Sequence, residues 1–285
     1  MTGPDRLDQG LATARRTDRA PKVGGAAHAW RCLRVQWALD LKAAAHFRGD
    51  TLFGVVVSLA WLGFAIAPVL VAGRYLAAEG WNQPRLLFLQ AIWYWMDAVN
   101  WFFLSENMDK LRSGVTSGRT DGLLTLPVDS LLMASLGHLN VPDLPKFGIA
   151  LALGGYAVWA GALPGGVLAV VGFVVALAAA SVLFWAINVL CSFKVLTQFR
   201  FDGGFLASAV HNLSRVPTDL YNAGMRLLFS SVLPVVLLTT LPSRVFFGWD
   251  PLWLAAVSVA VTVAVVALTR WLWRREVARY VGLQG

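Results

Sequence analysis

Long apolar runs set the organisation of this chain. An α-helix rises 1.5 Å per residue, so about 20 apolar residues in succession cross the hydrocarbon core of a bilayer. Residues 51–73 (TLFGVVVSLAWLGFAIAPVLVAG) reach that length without a charge, and residues 86–105 (LLFLQAIWYWMDAVNWFFLS) reach it with a single acid, Asp97. Residues 147–163 and 166–191 are two further runs, joined at Leu163–Pro164–Gly165–Gly166, where proline and glycine favour a turn. Tyr221–Thr240 is a fifth run, interrupted by Pro234, and a sixth extends from Pro251 to Trp273. The pattern predicts an all-α integral membrane protein with six transmembrane helices.

The segments between the runs are patterned differently. Residues 1–28 are polar, lack an apolar core of the kind a signal peptide carries, and read as a flexible leader to a membrane domain spanning 29–285. Over residues 29–48, Trp30, Leu33, Trp37, Leu41 and Ala44 recur at three- and four-residue spacing, while Arg31 and Lys42 fall off that stripe. This is the pattern of an amphipathic helix in the membrane interface, with a helix packed on a partner as the alternative. Residues 106–146 form the longest internal loop. Gly114, Gly118 and Gly122 break it into short pieces, and Pro127 followed by Asp129 marks a fresh helix start. Its leucines (Leu123, Leu124, Leu126, Leu131, Leu132) call for a docking surface, on the membrane domain or on a separate protein. Pro234 and Pro242 bracket the end of the fifth run, where the chain is expected to kink or re-enter.

Composition and charge then fix the class and the orientation. Of 285 residues, 57% are hydrophobic and 14% charged, against about 25% charged in an average soluble domain. This excludes an ordinary soluble enzyme, a disordered chain and a nucleic-acid-binding domain. Two cysteines, Cys32 and Cys191, are too few for a disulfide framework or a four-ligand zinc site. The net charge of +8 is mostly topological. Sorted by loop, 20 of the 24 basic residues fall on one side and three (Arg74, Arg85, Arg244) on the other, with Arg226 placed inside the fifth run near its cytoplasmic end. That bias puts both termini in the cytoplasm. Trp81, Trp249 and Trp253 outside, with Trp271 and Trp273 inside, sit where interfacial aromatic belts belong.

Residue types that carry covalent chemistry are scarce. The four histidines, His28, His46, His138 and His211, form no metal-binding pair, and all fall in predicted cytoplasmic segments. The five lysines follow Pro, Leu, Asp, Pro and Phe, so the chain lacks the Gly-Lys of a nucleotide-binding loop. Asp97, the one acid within a run, is the intramembrane candidate. It can line a substrate path, carry a proton, or pair structurally with Asn100 or Arg226.

Two stretches carry a resemblance. Gly118-Arg119-Thr120-Asp121-Gly122-Leu123-Leu124-Thr125-Leu126-Pro127 resembles the G-x-x-D-x-L-L-x-x-P signature that follows the second helix in bacterial type-2 ABC transporter permeases. Arg215-Val216-Pro217-Thr218-Asp219-Leu220-Tyr221, with Arg226 and Leu233-Pro234-Val235, is similar to the family's run into a proline-kinked fifth helix, and Pro242 matches its proline beyond. The chain departs from the pattern at Gly122, commonly bulky, and at Thr125, frequently arginine.

The resemblance, over roughly residues 30–285, implies the six-helix permease of an ABC exporter in a bacterial inner membrane. Two such chains, identical or paralogous, would form a dimer around the substrate pathway, in contact with membrane lipids. ABC ATPase subunits would hold the ATP and Mg, so this chain would have neither cofactor nor metal. It implies a connecting helix at 29–49 and a coupling helix at about 109–137. The residues it implies for coupling to the ATPase are Gly118, Arg119, Asp121, Leu123, Leu124 and Pro127; Pro217, Pro234 and Pro242 would be kinks. The alternatives are an ATP-independent secondary transporter or channel using Asp97, and an intramembrane enzyme or scaffold.

Overall fold

The computed structural model describes residues 26–46, 48–72, 80–124, 128–198, 203–231 and 234–284; of the expected leader, residues 1–25 lie outside them. Among the described residues every regular element is helical. The chain opens with α1 (Ala26–His46) and α2 (Arg48–Ala72). Next comes α3 (Gln83–Val99), which runs on through a π-helical turn, Asn100–Leu104, into α4 (Ser105–Ser117). Two short helices, α5 (Arg119–Leu124) and α6 (Ser130–Leu136), precede α7 (Pro145–Trp159) and α8 (Val167–Ser192). The last four are α9 (Gly204–Leu213), α10 (Ala223–Ser231), α11 (Thr240–Phe246) and α12 (Trp253–Gln284).

Local chemistry sets these boundaries. Asn82 caps α3 by accepting the Arg85 amide at 3.1 Å, with Pro84 in the first turn where its missing N–H costs nothing. Asp129 caps α6 through the amides of Leu131 and Leu132. Gly118 ends α4 at φ +74°, a conformation a side chain would disfavour. Where α8 begins, a Cβ on Gly165 would lie 2.6 Å from the Gly248 Cα, so the two chain segments cross at glycine-only distance.

Residues 167–196 and 253–281 are each long and apolar enough to cross a membrane, and Leu52–Phe64 is a shorter apolar helix. α8 packs along α12 and α11, and α3 packs along α7 and meets α8 and α11. Leu89, Met96, Leu183, Phe184 and Leu238 are buried among them, and Phe88 stacks on Phe246 at 4.1 Å between ring centres. The bundle has two distinct ends. Trp81, Gly165 and Gly248 mark one, and Asn107, Lys194 and Tyr280 the other.

The expected fifth helix, Tyr221–Thr240, is not a single helix. Residues 203–220 instead run from beside Cys191 near the end of α8, through α9, to Asp219, whose carboxylate accepts the Trp81 indole N–H at 3.0 Å. The chain then forms α10, and Pro234 precedes a 3-10 turn, Val235–Leu237, whose Val235 is buried, before α11. Pro234 supplies no amide and cannot sit inside a continuous helix. Thr239 and Thr240 compensate the interruption: Thr239 Oγ1 donates to the Ser214 carbonyl, and Thr240 Oγ1 accepts the Thr218 amide at 3.1 Å. Irregular backbone at membrane depth is tolerated where protein satisfies it in this way. Pro217 immediately precedes the 3-10 turn Thr218–Leu220, and Pro242 lies in the first turn of α11, where a proline is accommodated.

The expected stripe on α1 is also rotated. Ala29 and Leu33 are buried and Trp37 half-buried, but Trp30 and Leu41 are exposed. The docked face includes two polar residues instead, Gln36 and Asp40, because it meets hydrogen-bonding groups of the loop after α6.

Candidate functional site

Asp97, on the buried face of α3, lies between Lys146 and His211. Lys146 Nζ lies 3.3 Å from its Oδ2 and His211 Nε2 3.4 Å from its Oδ1, and all three residues are buried. The sequence offered Asn100 and Arg226 as its partners; the structure brings it neither Arg226 nor a hydrogen bond from the Asn100 side chain. Asn100 opens the π-helical turn, its amide donating to the Asp97 and Met96 carbonyls. Such turns recur at functional sites.

Each of these two neighbours is held by a separate element. Lys146 follows Pro145 at the start of α7, pairs with Asp143 at 2.9 Å and lies 5.0 Å over the Trp101 ring. His211 on α9 stacks on Trp93 at 4.6 Å and an interplanar angle of 14°, and Trp93 Nε1 donates to its carbonyl at 2.9 Å. His211, placed by the sequence in a cytoplasmic segment, is buried against Trp93 and Phe184, because α9 packs on α3 and α8. The contacts of Asp97 with His211 lack hydrogen-bond geometry, and both His211 ring nitrogens are without a hydrogen-bond partner among the described residues. Asp97 therefore joins α3 to α7 through the Lys146 ion pair, with His211 of α9 packed beside its other oxygen. Such a junction can hold the helices in register and can be rearranged.

The loop between α3 and α7 is docked at the opposite end from Trp81. Asn107 receives the His138 amide at 3.0 Å and donates to the carbonyls of His138 and Phe103, pinning the loop to its own helix. Trp37 of α1 donates to the Leu136 carbonyl at 2.7 Å, and Asp40 accepts the Leu139 amide at 2.9 Å. Of the residues expected to couple to an ATPase, Gly118 is the turn before α5 and Asp121 accepts the Tyr280 hydroxyl at 2.8 Å, linking α5 to α12. Leu123 is half-buried and lines a cavity of about 340 Å³ with Asn107, Lys110 and Met133. Arg119 and Leu124 lie in α5, but their side chains are outside the described residues, as is all of Pro127. A Cβ on Gly122 would meet open space.

Arg226 belongs to a third region, at the Trp81 end. It lines a cavity of about 480 Å³ with Gly80, Arg85, Asp219, Arg244 and Trp249. Expected near the cytoplasmic end of a continuous fifth helix, it lies in the separate helix α10 and shares this cavity with Arg85 and Arg244, which the charge pattern assigns to the opposite side. Arg244 forms a two-pronged pair with Asp250 at 2.9 Å and reaches Asp219 at 3.0 Å. The hydrogen bonds to Asp250 raise its pKa above the ordinary arginine value, against the opposing effect of burial.

Sequence reasoning missed Lys146, His211 and Asp143 as neighbours of Asp97. A signal existed: a buried carboxylate requires a cation, and Lys146 stands at the edge of a predicted run. Nothing in the sequence pointed to His211, since the entry of α9 into the bundle is a tertiary feature.

Comparison with known families returns one result. The family model described as ABC-2 family transporter protein matches residues 62–283, which include α3 to α12. No curated protein and no solved structure matches the chain.

Proposed function

Because the chain belongs to the ABC-2 family of transporter proteins, we propose that it is the permease subunit of an ATP-driven exporter, paired with a second permease chain and seated on separate ATPase subunits. The family assignment makes it a type-2 ABC transporter permease, a membrane transport component that is not itself catalytic, and the membrane subunits of this family work with ATPase partners. The single observation that carries the proposal is the family match across 222 residues (62–283).

In this reading α2, α3, α7, α8, residues 203–220 and α12 make the six crossings, and α10 to α11 form a re-entrant excursion. The basic residues, concentrated in the loops at the Asn107 end, support cytoplasmic termini in a bacterial inner membrane. The ATPase docks on α5 and its surroundings. α5 suits this role because Asp121 ties it to α12 and Asn107 ties the same loop to the π-helical turn after α3. A push from the partner on α5 would then reach two long helices as a rigid displacement. α1, anchored to residues 136–140, is the connecting helix. ATP and Mg bind to the partner, and chemistry in this chain is limited to holding and shifting helices.

The test is copurification. The tagged chain, extracted in mild detergent, should bring down an ATPase subunit, and Gly122→Arg should abolish that association while leaving membrane insertion intact. An intact chain that brings down no ATPase would overturn the proposal. The buried Asp97–Lys146–His211 cluster is the observation favouring the alternative, an ATP-independent transporter or channel. Transport that proceeds at full rate without ATP would select it.

A further inference from the structure

Three guanidinium groups converge on the cavity at the Trp81 end, against two carboxylates. Arg244 engages both Asp219 and Asp250. Arg85 donates to the Gly80 carbonyl at 2.8 Å and lies 4.9 Å over the Trp249 ring, while its Nε is buried with no hydrogen-bond partner among the described residues. Arg226 is exposed and donates to the main-chain carbonyls of Asp219, at 2.8 Å, and Tyr221, at 3.4 Å. Among the described residues the region therefore carries one more guanidinium than carboxylates, and an unmet donor.

Like charges brought together repel, more strongly near low-dielectric protein than in water. Arginine forks match the geometry of phosphate and carboxylate. The cavity of about 480 Å³ is large enough for such a group, and Trp249 lines one side with Trp81 packed against it at 5.1 Å. We infer that this cavity is a binding site for an oxyanion, a phosphate or a carboxylate, held by Arg226 and Arg85 beside the indole of Trp249. Arg244 is occupied by its own acids and keeps the walls in place. The ligand is either a free anion or the anionic headgroup of an amphiphile whose tail lies along the bundle. The site stands on its own geometry and does not depend on an ATPase driving the chain.

The full-length chain, purified in a neutral detergent, tests this by calorimetric titration with dodecyl phosphate and with inorganic phosphate. Saturable binding of dodecyl phosphate is expected, weakened at least tenfold by Arg226→Gln, less by Arg226→Lys, and unaffected by Lys110→Gln at the far end. Arg226 is exposed, so its replacement should leave the elution profile unchanged; Arg85→Gln should weaken binding in the same direction. Competition by inorganic phosphate would make the anion itself the ligand. Saturable, Arg226-dependent binding of dodecyl phosphate without competition would make it an amphiphile headgroup. No binding to the intact chain, or equal affinity in Arg226→Gln, would overturn the inference. Loss of ATPase copurification with binding intact would instead reject the permease reading alone.

Discussion

Asp97 is the residue on which the interior turns. Three helices meet there, and Asp143 supports the arrangement from the 3-10 turn before α7. Removing one member of a buried charge pair leaves the other uncompensated, at a cost on the order of 3–5 kcal/mol. Lys146 retains Asp143, so Asp97→Asn should fall at the low end of that range, read as a lower melting temperature in detergent. The double variant Asp97→Asn/Lys146→Gln should cost less than the sum of the singles, with a coupling of about 1–3 kcal/mol; strictly additive losses would show that the pair does not act as a unit. If Asp97 carries a proton during transport, Asp97→Asn should abolish the pH dependence of transport, whereas an unchanged profile would leave it a structural role. Sequence alone singled out Asp97 as the one acid within an apolar run, but its two partners, Lys146 and His211, lie 49 and 114 residues further along the chain, which no local pattern records. Gly118 was legible for the opposite reason. Its role is local, a left-handed turn between two short helices, and Gly118→Ala should destabilise that turn by roughly 1 kcal/mol.

At the scale of elements, long apolar stretches read correctly and interrupted ones did not. Runs 166–191 and 251–273 became α8 and the membrane-capable part of α12, because length and apolarity alone determine such helices. The run Tyr221–Thr240 was expected as one helix, yet α10 and the 3-10 turn after Pro234 are separate elements, and Thr239 and Thr240 bond to Ser214 and Thr218. Its polar requirements are met by residues 214–218, information that hydropathy does not contain. Labelling measures this directly. In a background lacking Cys32 and Cys191, cysteines at positions 226 and 244 should react with a membrane-impermeant maleimide from the same side. A cysteine at 110 should react from the opposite side. Reaction of 226 and 110 from one side would restore the continuous fifth helix. The loop 106–146 shows the same division: glycines and a capping Asp129 announced its short helices, but the Asp121–Tyr280 contact to α12 is tertiary. Tyr280→Phe and Asp121→Asn should therefore both uncouple the chain, with ATP hydrolysis retained and transport reduced; normal transport in both would remove this contact from the coupling route.

The whole molecule divides its labour between two ends joined by a hydrophobic bundle. The Asn107 end carries a rigidly tied loop with a cavity and an open position at Gly122, suited to a moving partner. The Trp81 end carries the arginine-rich cavity, and the charged junction at Asp97 lies between them. Composition pointed to a membrane protein, and the resemblance to type-2 ABC permeases implied that its energy comes from elsewhere; in the proposed function a displacement at one end passes through α12 and the π-helical turn after α3. The most direct test is Mg-ATP hydrolysis by the complex purified through the tagged chain and reconstituted in vesicles, wild type against Gly122→Arg. The account predicts hydrolysis with the wild-type chain, and loss of both the ATPase subunit and the activity with the variant. A correctly inserted wild-type chain that purifies with no ATP-hydrolysing subunit, or a Gly122→Arg chain that retains full activity, would contradict it.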